Sequence, residues 1–167
     1  VQEMNVYMRE QWNKVVSEDD PVIHAGDVAF SSGNYEPSDY LKQLYGNQVL
    51  ILGNHDDSIN EEEFPYLCTE RMVVQHHGYR FWCTHRPDEV PDNWTECVIH
   101  GHVHNDHPFI EYNKNKINVS VERIDYTPVP LNILVKGLKK MGSGDVACDI
   151  KDSPISNFQW YHENIEK

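Results

Sequence analysis

The stretch QVLILGNHD, residues 48–56, is an apolar run that stops on glycine and polar residues. Val49, Leu50, Ile51 and Leu52 are consecutive and bulky, as in a strand buried on both faces, and Gly53-Asn54 ends the run. Three other places read the same way. PVIHAGD (21–27) stops at Gly26-Asp27, YRFWC (79–83) leads into Thr84-His85-Arg86-Pro87, and ECVI (96–99) leads into His100-Gly101-His102-Val103-His104. Pro37-Ser38-Asp39 can start a helix, YLKQLY, which Gly46-Asn47 would end by supplying a left-handed residue. Strands interleaved with helical and turn-rich segments predict an α/β sheet. Ligand sites on such a sheet lie beyond the carboxyl ends of the strands, where the loops converge.

The flanks extend this pattern. Residues 1–16, VQEMNVYMREQWNKVV, place Val1, Met4, Met8, Trp12, Val15 and Val16 at helical spacing, which predicts an amphipathic helix. HPFIEYN and INVSV flank Asn113-Lys114-Asn115-Lys116 and predict a hairpin, His76-His77-Gly78 marks another, and LNILVKGLKK predicts a short basic helix. Residues 1–141 therefore read as one domain, and 142–167 as an extension without a convincing period, in which Phe158, Trp160 and Tyr161 could dock. Glu61-Glu62-Glu63 reads as a solvated face at a helix start.

Composition narrows the partners. Lys and Arg total 14 against 27 for Asp and Glu, a formal charge of −13, which argues against gripping long nucleic acid or an anionic membrane by surface charge. No apolar stretch is long enough to span a bilayer. Cys68, Cys83, Cys97 and Cys148 form no paired motif, so free thiols in a reducing cytoplasm are expected. Ten histidines remain to be placed.

The strand ends supply Asp27, Asn54 with His55, His85, and His102 with His104. Imidazole, amide and carboxylate together suit divalent Zn, Mn, Fe or Co better than Ca or Mg. Residues this far apart cannot meet on one helix, so the tertiary fold must gather them, as the strand ends of one sheet would. Arg86, beside His85, has a planar fork that can pair with two oxygens of a bound substrate. His24 and His100 sit inside apolar runs and read as core residues, His76 and His77 as solvated, and His107 as an even choice between substrate contact and chance proximity.

GDV at 26–28, GNHD at 53–56, His85 followed by Pro87, and GHVH at 101–104 resemble, in order and rough spacing, the motifs of calcineurin-like metallophosphoesterases. The likeness is greatest to the small bacterial and phage-type phosphoesterases, through VQEMNVYMREQWN, VIHAGD and NVSVERIDYTPVPL as well, and covers roughly residues 1–140. It implies a four-layer αββα sandwich and a site for divalent ions (Mn, Fe, Zn, Ni or Co), two in the intact family. By resemblance Asp27 bridges the ions, Asn54, His85 and His102 complete the second, and His104 belongs to the first. The family's opening Asp-x-His motif is absent before Asp27, which implies a leading βα segment upstream of Val1; without it the first ion keeps only Asp27 and His104. The implied activity is hydrolysis of a small phosphomonoester or phosphodiester, such as a nucleotide, by a hydroxide held at the metals, with His55 protonating the leaving group. Asp56 could orient the His55 ring. The rival expectations are a non-catalytic binding scaffold of the same fold and an inactive fragment. Retention of GNHD and GHVH favours the enzyme.

Overall fold

A computed structural model of the chain describes residues 2–29, 36–60, 64–111, 115–140 and 147–148. The four apolar runs are strands, divided between two sheets. β1 (Pro21–His24), β2 (Asn47–Ile51) and β3 (Leu67–Thr69) make an all-parallel sheet in that order, with Ile23 opposite Val49 and Val49 opposite Leu67. β4 (Arg71–His76), β5 (Tyr79–Thr84), β6 (Cys97–His100), β7 (Ile110–Glu111), β8 (Lys116–Asn118) and β9 (Ala147–Cys148) make the other, ordered β4-β5-β6-β8-β7-β9. Within it β5, β6 and β8 run parallel, while β4 pairs antiparallel with β5, and β7 antiparallel with β8 and β9. His77 (φ 48°) and Gly78 (φ 84°) form the two-residue β4–β5 turn, whose paired positive φ angles match the twist of the strands.

This arrangement corrects two expectations. The strand ends belong to two sheets, not one, and the αββα sandwich is not formed: the described residues make nine strands, three α-helices, α1 (Gln2–Val15), α2 (Pro37–Leu41) and α3 (Leu131–Lys140), and one 3-10 turn, His104–Asp106. The physical reason lies in the connections. β3 and β4 are separated by Glu70 alone, and β4 turns into β5 within two residues. Residues 85–96, which join parallel β5 to parallel β6, carry Pro87 and Pro91 and stay irregular. That loop is anchored instead by side chains: Trp82 Nε1 donates to the Glu89 carbonyl (3.1 Å), Lys116 Nζ to the Pro87 carbonyl (2.6 Å), and Trp94 packs 5.3 Å from the Trp82 ring. Residues 61–63 and most of 142–167 lie outside the described residues, so the Glu61-Glu62-Glu63 helix start and the docking of Phe158, Trp160 and Tyr161 do too. Ala147–Cys148 pairs with β7.

Helix α1 covers the predicted span and is tied to the turn before β2. Asn13 donates from Nδ2 to the Gln43 carbonyl (2.9 Å) and accepts at Oδ1 from the Tyr45 N–H (2.8 Å), while Trp12 Nε1 donates to the Tyr45 carbonyl (2.9 Å). The Trp12 ring stacks on His24 at 4.7 Å. Met4, expected on the apolar face, is exposed.

Ile51 of the first sheet packs with Phe81, Cys83, Cys97, Ile99, Phe109, Ile110 and Ile117 of the second unit, and Ile133, Leu134 and Val135 of α3 close the cluster. β6 is buried along its whole length, as a parallel strand inside a sheet should be. Phe81 is fully buried. Phe81→Ala is expected to lower stability by about 3–5 kcal/mol in denaturant unfolding, and a loss below about 1 kcal/mol would contradict this packing.

Burial holds the pKa of His24 and of His100 down, each at about 4. Both rings are therefore neutral in the fold at pH values where an unfolded histidine already takes a proton. Their contribution to stability is fully present above about pH 6.5 and is lost as pH falls from there toward 4. Unfolding midpoints measured across that window should drop with pH; a flat profile would refute it.

Candidate metal centre

Four loops converge from the two sheets, a pair from each. Asp27 and Asn54 each lie three residues beyond their parallel strands β1 and β2, whereas His85 follows β5 directly and His102 lies two residues beyond β6. Close approach of the first pair depends on glycine. A Cβ on Gly26 (φ 90°) would fall 2.9 Å from the backbone of Gly53 and against His85 Nδ1, and a Cβ on Gly53 would run into the backbone nitrogen and carboxylate of Asp27. Three other residues of the loops also take left-handed backbone: Asp27 (φ 55°), His102 (φ 67°) and His104 (φ 44°). Asp and His tolerate this region better than most side chains, yet each such residue costs of order 1 kcal/mol and persists only where its surroundings hold it.

Asp56 supplies much of that hold. Buried to 3% exposure, its carboxylate accepts the backbone N–H groups of Asp27 (2.8 Å), Val28 (3.1 Å) and Gly53 (2.8 Å). It therefore fastens the β1 loop to the β2 loop, a role unlike the orienting of His55 expected from sequence. The His55 backbone N–H in turn donates to Asp27 Oδ1 (2.9 Å), and the His55 side chain is exposed.

His85, 2% exposed, connects the sheets. Its Nδ1 lies 2.7 Å from the Ala25 carbonyl oxygen, which can only accept, so Nδ1 carries a proton and, whenever the ring is neutral, Nε2 presents a lone pair. That lone pair faces Asn54 Oδ1 (3.1 Å), Asp27 Oδ2 (3.3 Å) and His102 Nδ1 (3.2 Å). Donor atoms of Asp27, His85 and His102 all lie within 4.8 Å of one another. Electron pairs converging at such distances repel unless positive charge sits among them, and a carboxylate, an amide and two imidazoles are the donor set of a borderline transition-metal cation. The His102 ring is kept below its ordinary pKa, chiefly by burial and then by the neighbouring His85 and Arg86, against the pull of Asp27 and Asp88. A neutral ring is the form that binds a metal.

The remaining expected residues fall around this group. His104 does not join it among the described residues; its Nδ1 lies 2.9 Å from Glu122 Oε1 on the surface. Arg86 is partly exposed beside the site, with Nε 3.9 Å from Glu89. His107 pairs with Glu111 (3.3 Å), and His100 is enclosed with its Nδ1 on the Gly101 carbonyl (2.9 Å). Sequence reasoning missed the Ala25 carbonyl, a backbone group no residue type announces, and Glu122, whose only signal was its place in the NVSVER segment.

No protein-family model matches the chain. It is 37% identical over 158 residues to the uncharacterized protein MJ1445 of Methanocaldococcus jannaschii, across 91% of this chain and 83% of that protein. A solved structure, the protein of unknown function AQ665 from Aquifex aeolicus, is similar with a TM-score of 0.61 and 25% identity, over 81% of this chain and 86% of that one.

If the two glycine loops position Asp27, then Gly53→Ala should weaken binding of Mn2+ or Zn2+ at least about tenfold by calorimetry while the circular dichroism spectrum stays unchanged. Unaltered affinity would show that the close approach is dispensable.

Proposed function

This chain belongs to the family of the uncharacterized protein MJ1445 of Methanocaldococcus jannaschii, and we propose that it is a metal-dependent hydrolase of small phosphomonoesters or phosphodiesters, nucleotides among them. The observation that carries this reading is the convergence of Asp27, Asn54, His85 and His102 from four strand ends, in a donor set that suits a divalent cation. The likeness of GD, GNHD, His85-Arg86-Pro87 and GHVH to metallophosphoesterase motifs supports the same reaction class.

Asp27, Asn54, His85 and His102 would hold the cation, Mn, Fe, Zn, Ni or Co. When bound, it supplies Lewis-acid charge at a phosphoryl oxygen and eases deprotonation of the attacking water. The rest of the work falls to the chain. Three of the four donors are neutral when they bind, so only Asp27 offsets the cation's charge, and an anionic ester is attracted to an otherwise acidic surface. His55 is held next to Asp27 through its backbone and is exposed, so its imidazolium donates a proton to the departing oxygen as the P–O bond breaks. Arg86 offers its fork to two nonbridging oxygens and keeps the ester in line. Asp56 keeps the loop carrying Asn54 and His55 registered on Asp27.

Free Cys83 and Cys97 support placement in the reducing cytoplasm; burial pushes their thiols up to about 12 and about 11, which makes them unreactive. Among the described residues no helix is long and apolar enough to cross a membrane.

Hydrolysis of mono- and bis-aryl phosphates with Mn2+, Co2+, Ni2+ or Zn2+ tests the reading. His85→Ala should abolish turnover, His55→Ala should lower kcat by about 10²–10⁴-fold, and Arg86→Ala should raise KM. A protein that binds the cation yet hydrolyses no ester with any metal would overturn the proposal.

A further inference from the structure

The segment Asn118–Arg123 grips the turn that follows His102. Asn118, almost fully enclosed, donates from Nδ2 to the carbonyls of His104 (2.8 Å) and His107 (3.1 Å), while its Oδ1 accepts the Ser120 N–H (3.1 Å). Arg123 Nη2 donates to the Asn105 carbonyl. Glu122 Oε1 meets His104 Nδ1 at 2.9 Å, and its Oε2 is buried with no hydrogen-bond partner. A desolvated carboxylate oxygen without a partner is costly, and such a group in a folded protein calls for a use.

His85 shows what the use is. There an acceptor at Nδ1 fixes the proton on that nitrogen and leaves Nε2 as the donor of an electron pair. Glu122 makes the same contact with His104, and does so with a full charge. A carboxylate cannot donate, so the ring proton resides on Nδ1, whereas an unconstrained neutral histidine favours the proton on Nε2. The left-handed backbone of His104 and the grip of Asn118 and Arg123 on its turn hold the ring's base in place at the same time.

We propose that Glu122 is a positioning residue for His104: its carboxylate keeps the ring proton on Nδ1 and so presents Nε2 as an electron-pair donor two residues from His102. This deepens the proposed function and rests on it for what Nε2 then serves, a cation at this centre. It also accounts for the NVSVER segment, which supplies no residue to the Asp27, His85 and His102 group.

Two readouts test it without an activity assay. The ¹⁵N shifts of the His104 ring, recorded well above the usual imidazole pKa, should report the Nδ1–H form in the wild type and in Glu122→Gln, which keeps an acceptor, and a shift toward Nε2–H in Glu122→Ala. By calorimetry with Mn2+, Glu122→Ala and His104→Ala should each weaken binding by about 10–100-fold, and the double variant should bind no worse than His104→Ala alone. An unchanged tautomer in Glu122→Ala, additive losses, or affinities within about twofold of wild type would overturn the proposal. Absence of ester hydrolysis by the wild type would count against the hydrolase reading and leave both readouts as they are.

Discussion

The contact between His85 Nδ1 and the Ala25 carbonyl oxygen, 2.7 Å long, is the one on which the candidate site depends. It joins a residue at the end of β5, in the second sheet, to the backbone just after β1, in the first. Because the carbonyl can only accept, the bond also decides the tautomer of a ring that is 2% exposed and has no freedom to choose another. One hydrogen bond thereby couples the placement of two sheets to the electronic state of a donor atom. Its effect is electrostatic as much as geometric: it turns an electron pair toward Asp27, Asn54 and His102.

Packing leaves little room for this arrangement to relax. Gly26 and Gly53 meet backbone against backbone, Asp56 spans both loops from beneath, and Asp27 and His102 occupy strained backbone. Strain of that kind persists only where the surrounding structure exceeds it, here a buried carboxylate with three N–H donors and a core running from Ile51 through Phe81 to α3. Stability supplied by the core is in this sense what keeps these donors together.

Strands were legible in sequence because each buried run stops abruptly on glycine and polar residues, and the His77-Gly78 turn because its chemistry is local. Sheet membership was not. Nothing in QVLIL or YRFWC says which neighbour it will pair with, so the strand ends read as belonging to one sheet when they belong to two. The helical layers failed for a reason that was visible: Pro87 and Pro91 oppose a helix between β5 and β6, and the loop is held by Trp82, Trp94 and Lys116 instead. Asp27, Asn54 and His55, His85, and His102 with His104 were legible as candidates by their place after strands, but which of them converge was not, and the pairing of His104 with Glu122 depends on a turn 14 or more residues later in the chain that no spacing rule anticipates.

Anomalous diffraction from crystals grown with Mn2+ or Zn2+ tests most directly whether these converging electron pairs exist to hold a cation. The account predicts one strong peak bounded by Asp27, Asn54, His85 and His102, with donor distances near 2.0–2.2 Å for zinc. Well-ordered crystals that show no peak among these four residues, at a metal concentration that saturates binding in solution, would contradict it.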